Sequence, residues 1–225
     1  MLNPLSLIRW NLNKRYLKEL SGAGVGIPST VWVEPGEEFE LAAVCRSHGW
    51  QSAVVKQLIS ASAHGAERRK HGLVTGPAMI QEYLASIQTR GEWSLMYFGG
   101  RFSHAVRKRP RDGDFRVQTE FGGTVETAHP GRPMRAFAEM ALARLPEPAP
   151  IARVDVLPDR GGYVLMELEV IEPELFLDSA HGSKYRAASA VLNAVRAATP
   201  RTLTAAKPAA PAATRSAASP TSPLP

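Results

Sequence analysis

Residues 151–170 read IARVDVLPDRGGYVLMELEV, and this stretch decides the fold. Two apolar runs, Ile151 to Leu157 and Tyr163 to Val170, flank a turn at Pro158 to Gly162, which predicts an antiparallel hairpin. Residues two apart on a strand point to one face, so Glu167 and Glu169 project together. With Asp155 placed opposite them, three carboxylates meet among Val154, Val156, Leu165, Met166, Leu168 and Val170. Three close anions repel unless a divalent cation sits among them. Oxygen donors with no cysteine or histidine nearby point to Mg²⁺ or Mn²⁺. The competing reading is a solvated strand face, the commoner fate of alternating glutamates.

Outward from the hairpin, the chain reads as mixed α and β. Asn11 to Leu20 has a helical pattern, with Leu12, Tyr16, Leu17 and Leu20 on one face and glycines at 22, 24 and 26 to end it. Thr30 to Val33 reads as a strand, Phe39 to His48 as a helix and Ser52 to Lys56 as a buried strand. Ser60 to Arg69 is a polar, Gly-containing loop. Ala78 to Leu84 and Glu92 to Phe98 read as strands, and Gly99-Gly100 turns the second into Phe102 to Arg107. Arg132 to Leu145 and Lys184 to Ala198 carry helical patterns. From about Thr199 the composition shifts to Ala, Pro, Ser and Thr, which cannot bury a core and is expected to be disordered.

The whole chain of 225 residues is long enough for one large domain or two small ones. No run approaches the roughly 18 to 20 apolar residues of a membrane helix, and the N-terminus lacks the apolar core of a secretory signal. A single cysteine, Cys45, excludes an intramolecular disulfide and a Cys-based zinc cluster. Together these point to a cytoplasmic protein. The net charge is +6, but Arg201, Lys207 and Arg215 lie in the tail, and the remaining +3 is no more than a polyphosphate pocket needs. The charge therefore does not argue for nucleic acid as the main partner.

Several polar residues sit where chemistry could use them. Lys56 ends an apolar strand just before a polar loop, so it is either a snorkelling edge residue or a cation aimed at an anionic ligand. Lys14, on a helix, reads by itself as a solvated lysine. Gln81, Glu82, Tyr83 and Leu84 end a strand, where backbone groups can read a base edge between apolar walls. Glu92 could accept hydrogen bonds from ribose hydroxyls. The stretch 108–123 is polar and basic: Lys108, Arg109, Arg111 and Arg116 could neutralise phosphate, or simply form a solvated loop. The glycine-rich GAGVG at 22–26 follows a helix instead of a strand and reads as a helix stop, not a phosphate loop.

Taken in order, NKRYLKEL, GIPSTVWV, VVKQLISASAHG, QEYL, GEWSLMYFGGRFSHAVRKRP, GDFRVQTEFGG, RVDV and MELEVIEPELF resemble the ATP-grasp superfamily, specifically its glutathione-synthetase-like ligases. The resemblance covers roughly residues 3 to 180, and its last motifs look close to the cyclo-ligase group of cycloserine biosynthesis. It implies an α+β ATP-grasp fold, two subdomains whose antiparallel sheets clasp ATP. The implied division is a helical segment at 1–27, a small lid subdomain at 28–85, a large subdomain with the metal site at 86–198, and the tail at 199–225.

The resemblance also implies roles. Lys14 and Lys56 would bind ATP phosphates, and Ser60 and Ser62, in a mobile loop, would close over them. Gln81 to Leu84 would be the adenine hinge and Glu92 the ribose contact. Arg116 and Lys108 would face the transferred phosphate and acyl substrate, and Asp155, Glu167 and Glu169 would hold Mg²⁺, with Mn²⁺ an alternative. Position 169 departs from the commoner asparagine. Relatives carry about a hundred further residues before the stretch that starts here at Asn3, so the resemblance implies a gene fragment, a wrongly placed start or a subunit needing a partner that supplies that domain; the relatives' habit implies a homo-oligomer. The implied activity joins a small-molecule carboxylate to an amine or related nitrogen nucleophile through an acyl phosphate, releasing ADP and phosphate. Two alternatives are a nucleotide-binding remnant without ligase activity and a basic nucleic-acid-binding module.

Overall fold

A computed structural model describes residues 2–60 and 65–198. Eleven strands, β1 to β11, and six α-helices, α1 to α6, are present among them. Ser62 and the Ala/Pro-rich stretch from Thr199 lie outside the described residues.

The N-terminal segment differs from its sequence reading. In place of one helix over 11–20 there are two, α1 (Leu5–Asn11) and α2 (Tyr16–Gly22). The Asn13 side chain accepts the Arg15 N–H at 3.0 Å, a local bond that competes with the helix. The Lys14 N–H turns away to the Leu58 carbonyl at 2.8 Å. Tyr16, Leu17 and Leu20 are buried, whereas Leu12, at the break, is exposed.

Residues 30–82 build the smaller sheets. β1 (Thr30–Val33), β6 (Ala78–Glu82), β3 (Ala53–Gln57) and β4 (Glu67–Arg69) form an antiparallel sheet in that order. The loop expected at 60–69 thus ends in a short strand. β2 (Glu38–Glu40) pairs with β5 (Leu73–Thr75), both unread in the sequence. That pairing delays α3 to Leu41–His48, where the Glu40 carboxylate caps the Ala42 and Ala43 N–H groups at 3.1 and 2.7 Å. Leu41, Val44 and Cys45 then pack on Val33, Ala53 and Ile80.

The larger sheet is antiparallel in the order β11 (Gly162–Glu169), β10 (Ile151–Asp159), β7 (Glu92–Phe98), β8 (Arg101–Arg109) and β9 (Thr124–Ala128). β9 is a half-exposed edge strand with little alternation, which is why its sequence gave no signal. α5 (Arg132–Leu142) and the N-terminal helices bury one face in a core with Leu95, Val154, Leu165 and Leu168. Burying each such leucine contributes about 1.5–3 kcal/mol. The other face carries α6 (Ser183–Ala198) against Met96, Phe98 and Val106 at one end. Its middle is polar, and at the other end Leu157 packs with Leu84, Ile87 and Val117.

One irregularity sorts the two faces. In a regular strand Leu165, Glu167 and Glu169 would share a side. Instead Val156 pairs with Leu165 and Asp155 with Glu167, so Met166 is an extra residue, a β-bulge. The bulge sends Leu165 into the core with Leu168 and Val170 and leaves both glutamates on the polar face.

Candidate active site

The polar face is organised around Asp155. Its carboxylate is 2 % exposed, directly opposite Glu167 in register. Ligand oxygens of Asp155, Glu167 and Glu169 lie within 4.8 Å of one another. The three residues read from the hairpin therefore do converge.

Cations already cover this group. Arg153, two residues before Asp155 and opposite Glu169, donates from Nε to both Asp155 oxygens at 3.0 and 3.2 Å and from Nη2 at 2.9 Å. The same Nη2 reaches Glu169. Lys108 Nζ stands 2.6 Å from Glu92 and 3.3 Å from Asp155. Lys14 Nζ stands 3.5 Å from Glu167 and donates to the Ser60 carbonyl at 2.9 Å. Ser94 Oγ donates to Asp155 at 2.6 Å. Four carboxylates, with Glu92 included, face three cations.

Burial and charge set the protonation states. Burial alone would push the Asp155 carboxyl up, but Arg153 and Lys108 hold it down at about 2. Burial pushes Glu169 up to about 8, and Glu167 and Asp155 add to the rise against the pull of Arg153. Lys108 is held above its ordinary value: burial opposes the charge, and Asp155 and Glu92 outweigh it. Burial lowers Lys56, with Glu167 and Glu92 opposing.

Two chambers meet at this cluster. The first, about 880 Å³ of space open to solvent, lies between the smaller sheet and the larger one. Lys14, Lys56, Ser60, Glu92, Arg116, Asp155 and Glu167 line it, with Gln81, Glu82, Tyr83 and Leu84 along one wall. Val54 from the smaller sheet, Ile87, and Met166 from the larger sheet add apolar lining. The second, about 1230 Å³, shares Lys14, Ser60 and Glu167 and adds Lys108, Arg153 and Glu169. Apart from Arg109 and Arg111, every predicted site residue among the described ones thus borders one of two adjoining spaces.

Several of them are held differently from their sequence reading. Lys108 is not part of a basic loop: it is the penultimate residue of β8 and is buried. Gly91 makes this possible, because a Cβ there would meet the Lys108 carbonyl at 2.7 Å. Glu92 is committed to Lys108 by its salt bridge. The Gln81 amide accepts from Lys56 Nζ at 2.8 Å and donates to Thr30 at 3.2 Å. Glu82 is paired with Arg160 from the β10–β11 turn. Arg116 folds back on Asp114, with Nη2 at 2.8 Å, and lies over the Phe121 ring.

Arg153 and Ser94 were missed by sequence reasoning. Arg153 was findable, since the period-two argument that united the glutamates also places it beside Asp155. Ser94 was not, because only the β7–β10 register brings it to Asp155.

No protein-family profile matches the chain. The cycloserine biosynthesis protein DcsG of Streptomyces lavendulae is 30 % identical over 218 residues, covering 85 % of this chain and 72 % of that protein. The crystal structure of D-cycloserine synthetase DcsG superposes with a TM-score of 0.71 at 27 % identity, over 87 % of this chain and 73 % of that one. The ATP-grasp ligase PsnB in complex with its minimal precursor (TM-score 0.58, 16 % identity, 85 % and 63 % covered) shares the fold. So does a D-alanine–D-alanine ligase from Bacillus anthracis bound to ATP (TM-score 0.57, 16 % identity, 83 % and 65 % covered). No helix among the described residues is long and apolar enough to cross a membrane. With two facing antiparallel sheets, a carboxylate cluster between them and this kinship, the chain belongs to the ATP-grasp superfamily of ATP-dependent ligases.

Proposed function

We propose that this ligase activates a small-molecule carboxylate with ATP and Mg²⁺ and passes the acyl group to a nitrogen nucleophile. The observation that carries the reading is the all-oxygen triad of Asp155, Glu167 and Glu169 at the junction of the two chambers. Three carboxylates within 4.8 Å form a donor set suited to a hard divalent cation. Mg²⁺, when bound, would neutralise phosphate charge in phosphoryl transfer.

The chain's own residues then divide the work. The first chamber takes the nucleotide: the apolar wall by Tyr83 and Leu84 receives the base, and Glu92 lies near the ribose end. Lys56 and Lys14 spread the phosphate charge, with Ser60 lining the same chamber. The second chamber takes the acid. Its carboxylate oxygen attacks the γ-phosphorus, the bond to the β-phosphate oxygen breaks, and ADP leaves. A nitrogen lone pair attacks the acyl carbon of the resulting acyl phosphate, phosphate departs and the nitrogen gives up a proton. Arg153, lining the second chamber, and Arg116, lining the first, supply guanidinium charge where negative charge builds, while Lys108 keeps Asp155 ionised. This is catalysis by position and electrostatics. The sheets of 28–85 and 86–198 serve as the two jaws.

Thermal unfolding with a non-hydrolysable ATP analogue, with and without Mg²⁺, tests the site in wild type and Glu167→Gln. A Mg²⁺-dependent rise that shrinks in the variant is expected, followed by ADP release on an acid-and-amine panel. A rise without turnover on any pair would favour the nucleotide-binding remnant, and no rise would sink the proposal.

A further inference from the structure

β11 is the outermost strand of the larger sheet, and among the described residues no strand pairs with its free edge. Side chains from the N-terminal helices take that place. Tyr16 Oη accepts the Leu168 N–H at 3.0 Å. The Asn11 amide donates to the Leu168 carbonyl at 2.8 Å and accepts the Val170 N–H at 3.2 Å. Asn3 continues the row, donating to the Val170 carbonyl at 2.5 Å and holding both backbone groups of Ile151. All three side chains are buried.

The placement of these bonds is specific. The Leu168 N–H belongs to the peptide that joins it to Glu167, and its carbonyl to the peptide that joins it to Glu169. The Val170 N–H belongs to the peptide after Glu169. Three successive peptide planes around the two glutamates are therefore each held by Tyr16 or Asn11. The Met166 bulge lies just before them, where the pairing with β10 loses its regular register. A bulged strand end needs a second constraint to hold its side chains in one direction. Between Asn11 and Tyr16 the chain leaves the helix and delivers Lys14 to Glu167.

We infer that Asn11 and Tyr16, which also border the second chamber, are positioning residues for the metal carboxylates, acting through the β11 backbone. The inference rests on the metal reading given above. The N-terminal helices, on this view, are part of the active site. Asn3 is the built-in comparison: it stitches the same edge but adjoins neither glutamate.

The test is the Mg²⁺ concentration at half-maximal binding of a non-hydrolysable ATP analogue, measured by calorimetry on the full chain. Tyr16→Phe should raise it about ten-fold, the size typical of outer contacts to metal ligands, with analogue affinity in the absence of metal unchanged. Asn11→Ser should do the same, should Tyr16→Phe fail to unfold cooperatively. Asn3→Ser should lower the melting temperature and leave the Mg²⁺ midpoint as in wild type. A midpoint unmoved in folded Tyr16→Phe and Asn11→Ser would overturn the inference while leaving the metal reading intact. Equal shifts in all three variants would reduce the row to general edge support and overturn it too. If wild-type binding shows no Mg²⁺ dependence, the metal reading itself fails, and this inference with it.

Discussion

Arg153 and Asp155 stand two residues apart on one strand face, and the Arg153 Nε lies 3.0 and 3.2 Å from the two Asp155 oxygens. The guanidinium supplies positive charge to two of the three triad carboxylates, since it also reaches Glu169.

Arg153→Met should therefore destabilise the metal-free protein by about 3 kcal/mol, the cost of leaving a buried carboxylate short of a partner. Part of the loss should return on adding Mg²⁺, because the cation supplies the missing charge. Urea unfolding with and without Mg²⁺ measures both terms. A variant as stable as wild type without metal would refute the account.

Glu167→Gln removes one carboxylate charge from the proposed metal triad and the salt-bridge partner of Lys14. For wild type, analogue at 100 times its dissociation constant should add about 2.7 kcal/mol of stability. The variant should lose most of the Mg²⁺-dependent part. Turnover on an identified substrate pair should drop on the order of 10² or more, by analogy with other charge-stabilising groups.

Lys56 is half-buried and donates to the Gln81 amide, so its charge is aimed and only partly screened. Lys56→Met should weaken analogue binding by about 1.5–3 kcal/mol, the range for a hydrogen bond to a charged group. Equilibrium binding by calorimetry reads this directly. An unchanged affinity would place the triphosphate elsewhere.

His104 joins β8 to the segment before α6. Its Nε2 lies 2.9 and 3.1 Å from the Leu175 and Phe176 carbonyls, and Nδ1 lies 2.8 Å from Ser103 Oγ. Burial pushes its pKa below the ordinary value; the carbonyls oppose this, and Arg186 adds to the lowering. The folded state thus binds fewer protons than the unfolded one just below the ordinary imidazole pKa of about 6.5. Stability should rise with pH through that window and fall on acidification. Melting curves from pH 7 to pH 5 should drop more steeply for wild type than for His104→Gln. Parallel slopes would count against the assignment.

Much of this was legible before any coordinates. The strand Glu92–Phe98 begins and ends where its apolar run does, and Thr30–Val33 likewise. The carboxylate triad follows from spacing on a hairpin. The helix over 11–20 was not legible as two, because the bond that interrupts it draws the Lys14 N–H to Leu58, a residue distant in sequence. β2, β5 and β9 escaped for a similar reason. Each is short and half exposed, and exists through its partner more than through its own pattern.

The sequence by itself determined the antiparallel α+β class, the hairpin and the residues able to hold a cation, because period-two alternation and turn chemistry are local properties of the chain. Only the tertiary structure decided how those residues are held. The Met166 bulge put Leu165 and Glu167 on opposite faces, where regular alternation would have put them together. Strand register brought Ser94 and Lys108 to Asp155, and the broken N-terminal helix brought Asn11 and Tyr16 to the edge of β11. Those contacts join segments far apart in the chain, and a hydrogen bond across such a distance leaves no periodic mark on either partner.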